Sequence, residues 1–349
     1  MEGTPLSHII DVHTHYNAPL REDPFGVADA LKGERVGRNM VTNYRGLPAV
    51  GYAEMNDFDL QQEISGKAGI TRRMMSTSFS AEVMTSVSSK PALDIVKYVN
   101  DGMAATVARA PHNTFLLGTV NALDKTHVAE GERCMEKLGA KGLILNSSWH
   151  GRFLDTEEAY PFWEWANDRQ VPIFLHPPRV PIGHEQQMDQ YKLDELVGRP
   201  FDTAMSAARM ILSGLFDRFP RLKIVIAHMG GGLLPVMGRL DFGWRLGCEG
   251  MPERAKIKCR RLPSEYLAML YVDTMGVWAP HVREAVEVFG ADHVLFGTDY
   301  GPVPIDPKEH VDIVNALPIA PADKEKIFWR NADAFFHLGL AEGGGEATV

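Results

Sequence analysis

Two histidines stand two residues apart in the run Asp11, Val12, His13, Thr14, His15, just after the apolar pair Ile9 and Ile10. On a β-strand alternate side chains leave the same face, so both imidazoles point one way. Each brings a polar nitrogen that needs a partner, which makes the pair a poor piece of apolar core. Taken alone, the pair is as easily structural as functional. Three further runs change the balance. VPIFLH ends in His176, KIVIAH ends in His228, and HVLFGT leads into Asp299. In each, an ionisable residue closes a short apolar run at its C-terminal end. Imidazoles and a carboxylate aimed at one cavity suit a single divalent cation, with His13, His15, His176 and Asp299 as its ligands. Zn2+ fits this donor set best, and Mn2+ is the alternative. Such an ion lowers the pKa of bound water and polarises a carbonyl or carboxylate oxygen. His228 then serves better as an acid/base group, because imidazole exchanges a proton near pH 7.

The elements that must position these residues follow one rhythm: an apolar run, a polar end, a loop, an amphipathic stretch. Eight runs read as strands, at residues 9–15, 70–76, 114–120, 142–147, 171–176, 223–228, 269–274 and 293–298. They are rich in Val, Ile, Leu and Phe, as strands buried on both faces are. Helical spacing marks 92–109, 124–138, 156–169, 202–219 and 280–289, with Asp124 and Thr156 as expected N-caps and Pro220 and Gly290 as stops. Strand and helix alternating over the whole chain predict parallel strands with right-handed crossovers. Eight of them predict an α/β fold of the (β/α)8 TIM-barrel type, whose active site lies at the C-terminal ends of the strands. Two long loop insertions are expected at that rim: residues 17–69 after strand 1, with a helix near 58–66, and residues 178–200 after strand 5. The reading is one barrel domain over 1–340 and a frayed tail over 341–349.

Composition narrows the class. The 349 residues are 45% hydrophobic and 23% charged, in the range of soluble globular proteins. A net charge of −9 argues against a nucleic-acid partner. No run approaches the roughly 20 apolar residues of a membrane span, so no membrane partner is expected. The N-terminal residues show no basic region followed by an apolar one, so no secretory signal is read. Cys134, Cys248 and Cys259 are too scattered for a disulfide framework or a thiolate metal site, which suits a cytoplasmic location.

Four motifs carry a resemblance. DVHTH, FLHPP, AHMGGGLLPVMGRLD and LFGTDYG together resemble the amidohydrolase superfamily, and more closely its branch of aminocarboxymuconate-semialdehyde, γ-resorcylate and related aromatic-acid decarboxylases. The resemblance covers about residues 8–340. It implies one metal on His13, His15, His176 and Asp299, with His228 as the acid/base residue. Binuclear members carry a lysine at the end of strand four; here that end reads Leu145, Asn146, Ser147, and Lys141 lies at the opposite end. The activity implied is nonoxidative decarboxylation of a small aromatic or unsaturated carboxylic acid. Asp299, metal-bound water and His228 all stand as proton donors. A hydrolase (lactonase or amidohydrolase) or a hydratase on the same site is the alternative, and an inactive metal-binding barrel the non-catalytic one.

A carboxylate substrate calls for cations. Arg179 follows the strand-five histidine, and Arg239 matches a substrate-facing arginine of the aminocarboxymuconate enzyme. A solvated loop charge and a helix ion pair to Asp241 are the plainer readings of these two. Arg45 sits too early to align with that enzyme's second arginine. The γ-resorcylate and carboxyvanillate enzymes often open with a Glu-containing motif, so neither is expected to match closely. Tyr16, Trp149 and His150 could meet an aromatic substrate, although rim packing is commoner for such residues. Asp11 is read as orienting a metal ligand. Asp273 is read as catalytic or bonded to backbone, and His281 and His293 as structural residues of the face opposite the site. The family implies a homodimer, across which Arg239 could reach.

Overall fold

The computed structural model describes residues 8–17, 25, 34–37, 39–44, 47–77, 83, 85, 91–186 and 190–340. Arg45 and the tail 341–349 lie outside them. The first strand, β1 (Ile10–Tyr16), is buried at every position, as a strand enclosed on both faces must be. Three short strands follow, β2 (Glu34–Val36), β3 (Asn39–Tyr44) and β4 (Leu47–Gly51), forming an antiparallel sheet of their own. Helix α1 (Phe58–Lys67) then starts on an Asp57 cap that accepts the Leu60 N–H at 2.9 Å. The segment after strand 1, read from sequence as irregular before its helix, therefore contains a small sheet.

The repeating part resumes with β5 (Arg72–Thr77), helix α2 (Ala92–Val107), β6 (Thr114–Thr119), helix α3 (His127–Glu136) and β7 (Gly142–Asn146). A two-stranded ribbon, β8 (Ser148–Trp149) with β9 (Arg152–Phe153), precedes helix α4 (Tyr160–Arg169). Next come β10 (Pro172–His176), helices α5 (Arg199–Leu212) and α6 (Leu215–Arg218), and β11 (Lys223–Ile226). Helix α7 (Leu233–Leu246), β12 (Leu270–Asp273), helix α8 (Ala279–Phe289), β13 (Val294–Leu295) and helix α9 (Pro307–Ala316) complete the repeat.

Eight strands form one sheet in the order β1-β5-β6-β7-β10-β11-β12-β13, and every pairing in it is parallel. The ends meet. Thr14 bridges Tyr300, the Val12 N–H donates to Phe296 O at 2.9 Å, and the His15 N–H donates to Tyr300 O at 3.0 Å. Strand order equal to chain order, with first and last joined, is the (β/α)8 TIM barrel. Its core is aromatic as well as aliphatic: Phe162, Trp163, Phe174, Phe216, Phe296 and Phe328 are fully buried. Trp163 satisfies its indole by donating to Leu154 O at 2.7 Å.

Several expected boundaries shift for local reasons. Asp124 does not cap a helix: it accepts from the Thr126 N–H and hydroxyl at 2.9 and 2.7 Å, and helix α3 starts beyond that turn. Thr156 precedes a 3-10 turn without a side-chain cap bond. The helix expected over 202–219 is two, because Gly214 breaks it at φ 77°. The sixth and eighth barrel strands stop short of His228 and Asp299. Both residues adopt left-handed backbone, φ 57° and 55°, which extended strand cannot contain. Among the described residues, no helix is long and apolar enough to cross a membrane.

Candidate active site

The C-terminal ends of β1, β10, β11 and β13 gather His13, His15, His176, His228 and Asp299 at one mouth of the barrel. Imidazole centroids lie 5.2 Å apart for His13 and His176, 4.7 Å for His15 and His176, and 5.2 Å for His13 and His228. His13 Nε2 and His15 Nε2 face each other at 3.1 Å, and Asp299 Oδ1 lies 3.4 and 3.2 Å from them. His13, His176, His228 and Asp299 each offer a donor atom within 4.8 Å of the others. Asp299 Oδ1 and His176 Nε2 are buried without a hydrogen-bond partner.

The far side of each ring shows why these lone pairs converge. His13 Nδ1 sits 2.6 Å from Asp273 Oδ2. His15 Nδ1 sits 2.7 Å from Ser76 Oγ, whose hydroxyl donates to Thr14 O. His176 Nδ1 sits 3.0 Å from the Pro177 carbonyl. Asp273 and the Pro177 carbonyl accept, so Nδ1 of His13 and His176 carries the proton and Nε2 turns a lone pair inward, and the Ser76 hydroxyl, which can donate or accept, allows the same orientation at His15. Three lone pairs and a carboxylate oxygen without a shared proton make a cation site, and the donor set fits one divalent first-row ion. Asn146, beside His176 in register, ends β7 with a buried Nδ2 that has no partner. No lysine stands there to bridge a second ion.

His228 differs from the other three. Its Nε2 lies 3.4 Å from Asp299 Oδ2, its Nδ1 has no partner, and its side chain is 15% exposed. Left-handed backbone at His228, Met229 and Asp299 costs on the order of 1–3 kcal/mol per residue and persists only where packing enforces it. Packing does so here. The Met229 N–H donates to Asp273 Oδ1 at 3.2 Å. Gly231, φ 63°, passes so near helix α5 that a Cβ would sit 2.2 Å from Pro200 O. No other residue type fits that position.

The charges follow from burial and from one another. Burial favours neutral His13, but the Asp299 and Asp273 carboxylates outweigh it and raise its pKa. Burial lowers His15, and it takes His176 well below the ordinary value together with the charges of His15 and His13. Burial works against ionised Asp299; the positive potential of the neighbouring His13, His15 and His228 imidazoles overrides it, holding the carboxyl well below its usual range. Asp299 is therefore the anion of the cluster.

Other sequence candidates lie elsewhere. Arg179 donates to buried Asp194 at 2.9 Å, so its charge is tied to the loop. Arg239 is exposed on helix α7 and bonds no described residue, while Asp241 binds Ser264 instead of it. Tyr16 alternates away from His13 and His15, packs edge-on against Phe58, and donates to Asn56 O. Its buried ring packs in the barrel wall. Trp149 is buried on the β8–β9 ribbon against exposed His150. Asp11 orients no imidazole: it accepts from the His13 N–H, the Thr298 N–H and the Thr298 hydroxyl, joining the first strand to the last. The ring-orienting carboxylate is Asp273. His293 precedes β13 and stacks on Tyr271, on the face away from the site. His281 stands in the first turn of helix α8, just past the C-terminal end of β12, so it belongs to the site's face. Arg199 and His310 carried no motif. His310 lies buried on helix α9 with both ring nitrogens unpartnered.

A closed (β/α)8 barrel with histidines and an aspartate converging at its C-terminal mouth defines a metal-dependent barrel enzyme. An amidohydrolase family model matches residues 10–338. The chain is 30% identical to a 2-amino-3-carboxymuconate-6-semialdehyde decarboxylase of Dictyostelium discoideum, over 74% of this chain and 70% of that one. It is 32% identical to a γ-resorcylate decarboxylase of Rhizobium radiobacter, over 71% and 78%. The expected distance from the resorcylate enzymes is thus not found. Among solved structures, a dihydroxybenzoic acid decarboxylase from Polaromonas sp. JS666 with bound manganese and 2-nitroresorcinol superposes with a TM-score of 0.74. It is 26% identical and is matched over 96% of this chain and 98% of that one. The chain belongs to the amidohydrolase family.

Proposed function

We infer that this chain is a metal-dependent nonoxidative decarboxylase of a small aromatic carboxylic acid. One observation carries the reading: the imidazoles of His13, His15 and His176 converge beside the anionic Asp299, with Nδ1 of His13 and His176 held by acceptors. His13, His15, His176 and Asp299 would hold one divalent ion. His15 belongs with the ligands because its Nε2 lies 3.2 Å from Asp299 Oδ1 and 3.1 Å from His13 Nε2, and His228 is kept as the acid/base group because its Nδ1 has no partner. Three imidazoles and a carboxylate suit Zn2+, while the manganese of the Polaromonas relative supports Mn2+. When bound, the ion supplies Lewis acidity toward oxygens of the substrate.

The chain's own groups move the proton. Asp299 is held ionised, so His228, 3.4 Å from it, is the member of the pair able to deliver one. His228 gives a proton to the ring carbon that bears the carboxylate, which becomes tetrahedral. The bond from that carbon to the carboxylate then breaks, its electrons restore the ring, and CO2 departs. His228, now neutral, is reprotonated from solvent through its exposed edge.

The relatives' named substrates, γ-resorcylate among them, support a hydroxylated benzoate. Exposed Leu196, Phe201, Met205, Phe242 and Leu246 on neighbouring parts of the surface support a homodimer, and three unpaired cysteines suit a cytoplasmic location. The test is incubation of the Mn2+- or Zn2+-loaded protein with hydroxybenzoates, naphthoates and muconate-type acids in 18O-water. One CO2 per phenol, with no solvent oxygen in the product, is expected. Solvent oxygen in an opened lactone or hydrated product, without CO2, would instead make the chain a hydrolase or hydratase.

A further inference from the structure

Arg199 is the first residue of helix α5, in the segment that returns from the end of β10. Its Nε donates to the Pro178 carbonyl at 3.2 Å, two residues beyond His176. Its own carbonyl accepts from the Thr203 hydroxyl at 3.3 Å. The next residue, Pro200, touches Gly231 so closely that no Cβ fits between them, and Gly231 belongs to the turn carrying His228. Arg199 is thus tied through its Nε to the segment that carries His176, and its neighbour Pro200 abuts the turn that carries His228. Its charge is felt by His15, His176 and Asp299.

Among the described residues, the outer half of this guanidinium has no partner. Nη1 and Nη2 of half-buried Arg199 bond no described residue. The buried loop carboxylate of Asp194 is already taken by Arg179. A fixed, half-buried arginine with its planar fork free is a receptor for a planar anion, since two parallel N–H donors match the two oxygens of a carboxylate.

We propose that Arg199, held between the ends of the fifth and sixth barrel strands with both Nη groups bonding no described residue, anchors the substrate's carboxylate. The assignment rests on the decarboxylase reading for the identity of its ligand. An anchor on the carboxylate holds the acid better than the product phenol, which has lost that group. It also holds the bound acid more strongly than a transition state in which the carboxylate is becoming neutral CO2. Its removal should therefore act on KM more than on kcat.

The experiment compares wild type, Arg199→Met and Arg199→Lys, each loaded with Mn2+, in calorimetric titrations with 2,6-dihydroxybenzoate and with resorcinol. Metal content and kinetics are measured on the same samples. Arg199→Met is expected to weaken the acid roughly 10- to 100-fold, with resorcinol binding and metal content unchanged. KM rises by a similar factor, and kcat stays within about fivefold. Arg199→Lys, a point charge without the fork, falls between the two. Unchanged acid binding overturns the proposal, and so does parallel loss of acid, phenol or metal, which marks a structural role. Wild type that binds the acid through Arg199 yet releases no CO2 refutes the decarboxylase reading while this assignment stands. Wild type that releases CO2 with Arg199→Met unimpaired refutes only the assignment. If wild type binds no acid of the wider panel, both fall.

Discussion

Asp273→Asn separates the orientation of a ligand from its presence. Asp273 is buried and makes two kinds of contact: Oδ2 to His13 Nδ1 at 2.6 Å, and Oδ1 to the Met229 and Met275 N–H groups at 3.2 Å each. Asparagine retains the second kind, so the turn that carries His228 keeps its support. It replaces the acceptor facing His13 by an NH2 donor. That donor requires a lone pair on Nδ1, which moves the ring proton to Nε2 and points it at the position of the ion. Loss of such an outer partner typically costs 10- to 100-fold in metal affinity, or about 1.4–2.7 kcal/mol. The enforced wrong tautomer places this variant at the upper end. Competition of apo-protein with a chelator for Mn2+ or Zn2+ measures the effect, with thermal unfolding of the apo forms run in parallel. Metal Kd is expected to rise roughly 100-fold, with activity recovered in excess metal. A Kd within twofold of wild type would refute the reasoning, because His13 would then not depend on Asp273 for its tautomer.

Other outcomes follow from the same geometry. His228→Asn should lower kcat by roughly 10²–10⁴-fold while one equivalent of metal is retained, as read by mass spectrometry; loss of the ion would make His228 a ligand. Chelation should abolish CO2 release, and restoring metal at about 100 times its Kd should stabilise the fold by about 2.7 kcal/mol in denaturant titrations. Burial raises the Asp11 carboxyl to about 6 from 3.8, so the folded chain holds that proton more tightly than the unfolded one. Its stabilising effect is full below pH 4 and is lost as pH rises through 6. The stability of wild type relative to Asp11→Asn should therefore fall by on the order of 3 kcal/mol between pH 4 and 7 in urea unfolding. Gly231→Ala should destabilise by about 1–3 kcal/mol or more in the same assay, since φ strain adds to the overlap with Pro200 O.

The barrel was legible because parallel strands enclosed on both faces are uninterrupted apolar runs, and all eight runs join one sheet. Their inner ends were read well and their outer ends less so. The run Lys223 to His228 looks continuous in apolar character, yet the strand stops at Ile226. Nothing in the identity of His228 or Met229 announces left-handed backbone, which is imposed by contacts with Asp273 and Pro200 from distant parts of the chain. The small β2–β3–β4 sheet was missed because its strands are short and set in a polar segment. The split at Gly214 was legible in principle: glycine in a helical pattern is a recognised stop.

The histidines were legible for a different reason. A ligand must end a strand that points at the barrel mouth, so its position is written locally, one motif at a time. What holds a ligand is not written that way. Asp11 and Asp273 are both aspartates near strand ends, and spacing favoured Asp11 because it lies two residues from His13. The barrel's closure decides otherwise. The carboxylate of Asp11 is consumed by the backbone of His13 and by Thr298, 287 positions away, while β12 brings Asp273 across 260 positions to the ring itself. Arg199 was hidden in the same manner, because an arginine at a helix start reads as solvated surface until Pro178 and Gly231 are seen to fix it. The histidines and the aspartate that converge here are local statements of the sequence, and the groups that hold them in place are a statement of the closed barrel. Substitutions at His13, His15 and His176 should accordingly remove metal and activity together, whereas those at Asp273 and Arg199 should separate metal affinity from preference for acids.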